Sequence, residues 1–275
     1  MRSIGLHLRF THSFSELIYQ IEQLKLSSFQ CFLAPHQQST YMPLAQDIAT
    51  LNQIRRIENI DLYIHGSYLI NLAASDNDFA KKMFRRELHC AKMLESNYLI
   101  MHPGAASGFV DRQRGIDTLV RALNESVKCE DGIIILLENI AYGNHSIGGD
   151  IQDFVVIREK LDQPERVQFC IDTAHAYAYG YDIGNQEGQD QFINSVVDKL
   201  SIDAIKLLHL NDTQEPLGCK RDKHELLTQG LMGTEALQRF ALDERLKNIP
   251  LIMELPLVGL KEQQEMLNLV KKWHS

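Results

Sequence analysis

The sequence lacks several features that would place it in a special class of protein. Its five cysteines are scattered singly, with no CxxC pair, which argues against a disulfide framework or a zinc ribbon and favours a reducing compartment. No apolar run approaches the length of a membrane span, and the N-terminal residues lack the apolar core of a secretory signal. We therefore expect a cytoplasmic protein that does not associate with membranes.

An excess of basic residues is also missing. The chain has 28 Lys and Arg against 36 Asp and Glu, so its formal net charge is −8. Taken alone, this charge argues against a protein that binds nucleic acid mainly through electrostatic attraction. Bound cations would weaken that argument, because three divalent ions would leave a net charge of about −2 and concentrate the added charge at one site.

The chain has no linker-like or low-complexity segment, and its 275 residues are enough for one large α/β domain. Eight short apolar runs begin at Ile4, Phe29, Leu62, Tyr98, Ile133, Val167, Ile205 and Leu251. Helical patterns cover 13–24, 76–94, 111–127, 150–161, 191–200, 233–242 and 260–273. This alternation of strands and helices predicts a (β/α)₈ TIM barrel that forms a single domain over residues 1–275.

Six of the apolar runs end in a side chain that can bind a metal ion. These side chains are His65, His102, Glu138, Asp172, His209 and Glu254. A buried strand favours apolar residues throughout, so chance does not explain a histidine or carboxylate at the last position of six strands. Because the carboxyl ends of all barrel strands meet at one face, the pattern predicts a multinuclear site, and the absence of cysteine suits a hydrolytic zinc or manganese centre.

Further metal-binding side chains fall at the same predicted face. His175 follows the sixth strand closely, and the long loop after the seventh carries Asp222 and His224, which can reach one ion if the backbone is extended. His7 also lies near a strand end, where a supporting or core role is at least as well favoured as a ligand role. A lone histidine is more often a satisfied polar residue than a ligand, so the prediction depends on the joint pattern.

Three longer stretches carry a more specific pattern. They are HGSYLINL at 65–72, CIDTAHAYAYG at 170–180, and HLND at 209–212 with RDKH at 221–224. These stretches resemble the three signatures of the endonuclease IV family of abasic-site (AP) endonucleases, and the resemblance extends over nearly the whole chain. It implies a zinc-dependent enzyme of base-excision repair that cleaves double-stranded DNA 5′ of an abasic site. The products would be a 3′-hydroxyl and a 5′-deoxyribose phosphate, and we expect the enzyme to act as a monomer.

The resemblance implies three zinc ions, which manganese can replace in part, held by nine ligands. The first ion would take His65, His102 and Glu138; the second, bridged by Glu138, would also take Asp172, His209 and Glu254; the third would take His175, Asp222 and His224. Glu138 and Glu254 are the implied catalytic residues. Glu254 is also suited to hold or deprotonate the attacking water.

The resemblance also implies which side chains contact DNA. Tyr68 and Leu69 match residues that the family inserts into, or packs against, the distorted duplex. The arginine by which the family enters the DNA at the lesion is matched here by Gln37. Two further departures are Thr228-Gln229-Gly230 in place of Gly-Glu-Gly and Ala174 in place of a common cysteine. None of these positions is a metal ligand, so the departures concern lesion recognition rather than the chemistry.

Two other functions remain open from the sequence. A sugar isomerase or epimerase on a related barrel would use one divalent ion with about four ligands, and it would have no use for Asp222 and His224. A non-catalytic binder of damaged DNA would not need nine clustered polar groups, which are costly to desolvate. The number of ligands therefore favours the AP endonuclease.

The Gln37 departure generates a prediction about DNA affinity. We expect Gln37→Arg to tighten binding to abasic duplex DNA, because it restores one cationic contact with the backbone. The slope of log affinity against log salt concentration should also steepen by about one. Fluorescence anisotropy over a salt series measures both quantities. If neither changes, another residue of this loop fills the arginine's place.

Overall fold

Eight parallel strands alternate with helices along the chain and close into a barrel, as the sequence predicts. The computed structural model describes residues 2–34 and 43–274. The barrel strands are β1 (Ile4–Leu8), β2 (Ser28–Phe32), β3 (Asp61–His65), β4 (Tyr98–Met101), β5 (Ile134–Glu138), β6 (Val167–Asp172), β7 (Ile205–His209) and β10 (Leu251–Met253). Two short strands in the loop after β7, β8 (Asp212–Thr213) and β9 (His224–Glu225), pair antiparallel outside the barrel.

The described residues form nine α-helices. They are α1 (Phe14–Leu24), α2 (Ala45–Glu58), α3 (Asp78–Met93), α4 (Arg112–Val127), α5 (Ile151–Glu159), α6 (Thr173–Tyr179), α7 (Gln186–Leu200), α8 (Thr234–Ala241) and α9 (Leu260–Trp273). The seven helices predicted from the pattern are present, although α7 begins five residues earlier than expected. No helix in the described part of the chain is long and apolar enough to cross a membrane.

Two helices are absent from the sequence prediction for different reasons. Helix α2 buries only Ile48, Leu51 and Asn52, so its apolar stripe is too narrow to give a clear helical period. Helix α6 has seven residues and starts directly at the end of β6, where the sequence indicated only a loop at the face of the barrel. Both helices depend more on tertiary packing than on a local pattern.

The barrel strands have two buried faces, because successive side chains on a strand point in opposite directions. Side chains such as Ile64, Leu99 and Leu137 belong to the large core between the barrel and the helices. A separate, smaller cluster fills the barrel interior with Tyr63, Ile100, Leu136, Cys170, Leu207 and Ile252. Each of these six residues lies two positions before a predicted ligand. The strand period therefore directs all six strand-end ligands toward the barrel axis, above an apolar layer.

Gly5 in β1 is a position where the barrel has no room for a side chain. A Cβ atom there would overlap the backbone carbonyl oxygen of Ser28 in β2. We therefore expect Gly5→Ala to lower the free energy of unfolding by about 2 kcal/mol or more, because the two paired strands would have to separate. Gly184→Ala is the control, since its Cβ would meet only ordinary contacts, the nearest at 3.4 Å from Tyr177. Urea unfolding of both variants measures the difference, and equal effects would contradict this packing argument.

Candidate metal centre

Glu138 lies at the centre of the predicted ligand set. It is the last residue of β5, and its side chain is fully buried. Its Oε2 atom lies 3.1 Å from Nε2 of His65 and 3.3 Å from Nε2 of His102. Its Oε1 atom lies 2.8 Å from Nδ1 of His209. The two oxygens of one carboxylate thus face two different groups of histidines, which is the arrangement that a bridging ligand needs.

Four neighbouring strands supply a second group of ligand atoms. Glu138, Asp172, His209 and Glu254 each offer an atom within 4.8 Å of the other three. Nδ1 of His209 lies 3.5 Å from Oε2 of Glu254 and 3.8 Å from Oδ2 of Asp172. All four side chains are buried. This group agrees in membership with the second ion of the sequence prediction.

The third group is built by a helix start. The carboxylate of Asp172 caps helix α6 by accepting the backbone N–H of His175 at 2.7 Å. Capping places His175 one helical turn beyond the strand end, on the side of the barrel opening. Asp172, His175 and His224 offer ligand atoms within 4.8 Å of one another. Asp172 therefore borders this group as well as the second, a proximity that strand ends alone did not indicate.

Asp222 completes the third group from the long loop after β7. Its two carboxylate oxygens lie 3.2 Å from Nε2 of His175 and 3.3 Å from Nε2 of His224. His224 is in β9, so its backbone is extended, as the i, i+2 spacing required. Asp212 in β8 anchors this loop by accepting backbone N–H groups of Thr213, Met232 and Gly233 at 2.8 to 3.1 Å.

The chemistry of the nine side chains fits divalent metal ions. Nε2 of His175 and Nε2 of His224 are buried and make no hydrogen bond of suitable geometry within the described residues, although Asp222 lies close to both. A buried nitrogen of this kind is costly unless something binds it. Imidazole and carboxylate donors without thiolate suit zinc or manganese. The structure thus brings all nine predicted side chains together, and their role as ligands remains a prediction.

The charges of the cluster also call for cations. Burial alone would raise the pKa of Glu138, but attraction to His209 and His102 outweighs it and holds that pKa well below its usual range. Burial likewise lowers the pKa of His175, yet Asp172 and Asp222 outweigh burial and raise it well above the usual value. The buried carboxylates therefore need positive charge beside them, which protons on histidine or bound metal ions can supply.

Two asparagines that the sequence analysis did not identify hold predicted ligands in place. Asn139 accepts the backbone N–H of Asp172 at 2.7 Å and donates to its carbonyl at 3.0 Å. Asn211 donates to Oδ2 of Asp172 at 2.5 Å and accepts the backbone N–H of Glu254 at 2.7 Å. Both asparagines follow a ligand by one or two residues and are buried. The signal in the sequence that could have identified them is a polar residue one or two positions after a predicted ligand.

His7 takes a supporting place rather than a place among the ligands. Its Nδ1 atom lies 3.1 Å from Oε1 of Glu254, and none of the ligand groups in the described residues includes it. Burial lowers the pKa of His7 to about 4, although contact with Glu254 acts in the opposite direction. A neutral imidazole at this position can orient the Glu254 carboxylate.

Two of the three predicted DNA-contacting residues lie at the rim of the candidate centre. The side chains of Tyr68 and Leu69 are 52% and 45% exposed. The Tyr68 ring is 5.1 Å from the ring of His102, measured between centroids. Gln37 lies outside the described residues. Tyr68 and Leu69 are thus accessible from solvent beside the candidate metal centre.

The chain is a xylose isomerase-like TIM barrel, since the family model of that description matches residues 18–271. A protein of Thermotoga maritima described as probable endonuclease 4 is 31% identical over 265 residues, which cover 93% of this chain and 91% of that protein. A Chloroflexus aurantiacus protein of the same description is 31% identical and covers 93% of this chain and 92% of its own length.

The crystal structure of endonuclease IV from Thermus thermophilus superposes with a TM-score of 0.86 at 26% identity, covering 99% of this chain and 98% of that one. Within the xylose isomerase-like barrels, the chain therefore belongs to the endonuclease IV family. This confirms the resemblance drawn from the three signatures and the interpretation of the chain as an enzyme.

Glu87 supports the turn that presents Tyr68. This residue of α3 is buried, and its Oε2 atom accepts the backbone N–H of Ser67 at 3.1 Å. Burial raises the pKa of Glu87 from 4.5 to about 7. Because the folded chain binds this proton more tightly than the unfolded chain, the associated stability is present at low pH and is lost as pH rises toward 7.

We expect Glu87→Gln to remove this loss, because the amide keeps an acceptor for Ser67 but carries no charge. Between pH 5 and pH 8 the variant should gain about 2 kcal/mol of unfolding free energy relative to the unmodified chain. Urea unfolding at several pH values measures the gain. Glu159→Gln, at an exposed position in α5, is the control. Parallel stability curves for Glu87→Gln and the unmodified chain would refute the assignment.

Proposed function

We propose that this chain is a zinc-dependent AP endonuclease of base-excision repair, which hydrolyses the phosphodiester 5′ to an abasic site in double-stranded DNA. The observation that carries the proposal is the cluster of nine side chains, in three groups that meet at Glu138 and Asp172. The products of this hydrolysis are a 3′-hydroxyl and a 5′-deoxyribose phosphate. Action as a monomer in the cytoplasm is part of the same proposal.

The three groups would hold three ions, mainly zinc, with manganese able to replace it in part. His65, His102 and Glu138 would hold the first, and Glu138 with Asp172, His209 and Glu254 the second. His175, Asp222 and His224 would hold the third. When bound, such ions neutralise charge on the attacking and leaving oxygens of an in-line phosphoryl displacement.

Glu254 would orient the attacking water. Burial tends to raise the pKa of Glu254, but His209 and the hydrogen bond to His7 outweigh burial and hold it well below its usual value. The carboxylate is therefore ionised and can accept a hydrogen bond from water. Its Oε1 atom is already engaged by His7 at 3.1 Å, and its Oε2 atom faces His209 at 3.5 Å. These contacts fix the direction in which the carboxylate points.

Tyr68 and Leu69 would engage the damaged duplex. A missing base leaves a space in the stack that a planar ring can occupy, and wedging costs a few kcal/mol of unstacking that contacts in the bent complex must recover. The Tyr68 ring contacts Phe32 with a centroid distance of 5.2 Å as well as His102. The ring is thus supported from the barrel side while its exposed side faces solvent.

The two alternatives leave parts of this geometry without a purpose. A sugar isomerase with a single metal ion would need one of the three groups, whereas Asp222 and His224 converge on His175 as a separate group. A non-catalytic DNA binder would bear the desolvation cost of burying Glu138, Asp172 and Glu254 together without using them for catalysis. Neither alternative accounts for a carboxylate whose two oxygens face different sets of histidines.

Glu138→Gln tests the proposal, because it removes the anionic bridge while keeping the size of the side chain. The unmodified chain should contain about three transition-metal ions, mainly zinc, and should incise an abasic duplex on the 5′ side. The variant should remain folded, lose zinc from two groups, and incise about 100-fold more slowly or worse. Elemental analysis, circular dichroism and a gel assay on labelled duplex provide the measurements.

Tyr68→Ala is the control for DNA engagement, since it should weaken binding to abasic duplex and leave the zinc content unchanged.

Incision by Glu138→Gln within a few-fold of the unmodified rate would show that Glu138 is not a bridge. Full activity with a single magnesium or manganese ion would refute the trinuclear centre.

A further inference from the structure

Gln30 connects two of the predicted ligands, although it belongs to a strand that supplies none. It lies in β2, between Phe29 and Cys31, and its side chain is fully buried. Its Nε2 atom lies 2.6 Å from Oε1 of Glu254. Its Oε1 atom lies 2.8 Å from Nε2 of His209. One carboxamide thus spans from the end of β7 to the end of β10.

The neighbours of Gln30 determine which way its amide faces. An ionised carboxylate can only accept hydrogen bonds, so the amide nitrogen must face Glu254. Nδ1 of His7 lies 2.8 Å from the same nitrogen, and both nitrogens face Oε1 of Glu254. The reversed amide would place its oxygen against the carboxylate, acceptor against acceptor. Oε1 of Gln30 is therefore the atom that faces His209.

This orientation selects one form of His209. Since Oε1 of Gln30 can only accept, Nε2 of His209 must carry a proton and donate it. A neutral imidazole protonated on Nε2 has its lone pair on Nδ1. Nδ1 is the atom that faces Glu138 at 2.8 Å and Glu254 at 3.5 Å. Gln30 thus leaves free the nitrogen that points at the second ligand group.

We propose that Gln30 is a positioning residue that sets the protonated nitrogen of His209 and the orientation of Glu254 for binding the second metal ion. This inference rests on the proposed metal-dependent function. The role needs an acceptor and a donor in one side chain, spaced to reach both ligands. A buried amide meets that need and an apolar side chain of the same size does not. Hydrogen bonds to ligands of this kind typically change metal affinity by 10–100-fold.

Gln168 offers a matched control within the same barrel. It is also a buried strand glutamine, in β6. Its amide nitrogen contacts only backbone carbonyls, those of Pro164 at 2.6 Å and Val167 at 3.3 Å. Gln168→Met therefore removes a buried amide of the barrel without changing any contact to a predicted ligand.

The experiment is a competitive zinc titration of the full-length metal-free chain and its variants against a chromophoric chelator. In Gln30→Met we expect one of three zinc ions to bind about 10–100-fold more weakly while the other two are unchanged. Gln168→Met should bind all three as the unmodified chain does. In zinc-loaded protein, nitrogen-15 NMR should show a protected Nε2 proton on His209, which Gln30→Met loses.

The outcomes separate this inference from the proposed function. If the unmodified chain does not bind about three zinc ions, the proposed function fails. If it does, and Gln30→Met binds all three equally well, only the role of Gln30 is refuted. Should Gln30→Met not fold, Gln30→Asn replaces it, because the shorter amide cannot reach both ligands and is expected to weaken the same single ion. Unchanged affinity in Gln30→Asn would then refute the role.

Discussion

The charge balance around Glu138 is the constraint on which the site depends. Glu138, Asp172 and Glu254 are buried within a few ångströms of one another, and isolated carboxylates in such a place would be strongly unfavourable. Histidine nitrogens lie against their oxygens from several strands. Any positive charge placed among them, whether from protons or from metal ions, therefore stabilises the folded site.

The barrel meets this constraint because the side chains that form its apolar cores and those that form the candidate site occupy different positions along each strand. The outward side chains belong to the large apolar core, and the inward side chains of the lower layer, such as Leu136 and Ile252, form a smaller apolar cluster. The predicted ligands occupy the next inward positions and face the open end. Because the ligand layer is supported from below and from outside, polar groups can be gathered there without interrupting either core.

The fold and the six strand-end side chains of the predicted ligand set follow from local pattern. Apolar runs of strand length, six of which end in a histidine or carboxylate, predict a barrel with these six side chains at one face, and the structure has this arrangement. The prediction was incomplete where local pattern is weak. Helix α2 has a narrow apolar stripe, α6 begins without any break after β6, and β8 and β9 are two residues each. Gln37 lies outside the described residues, so its role remains a prediction.

The sequence by itself determined which residue types stand at the strand ends and, through the strand period of two, that they face one axis. Only the tertiary structure decided that the two oxygens of Glu138 face different histidines, that Asp172 borders two groups, and that Gln30 joins His209 to Glu254. These relations connect residues far apart in the chain. Their distances depend on closure of the barrel and on the register between its strands, and no local pattern encodes either one.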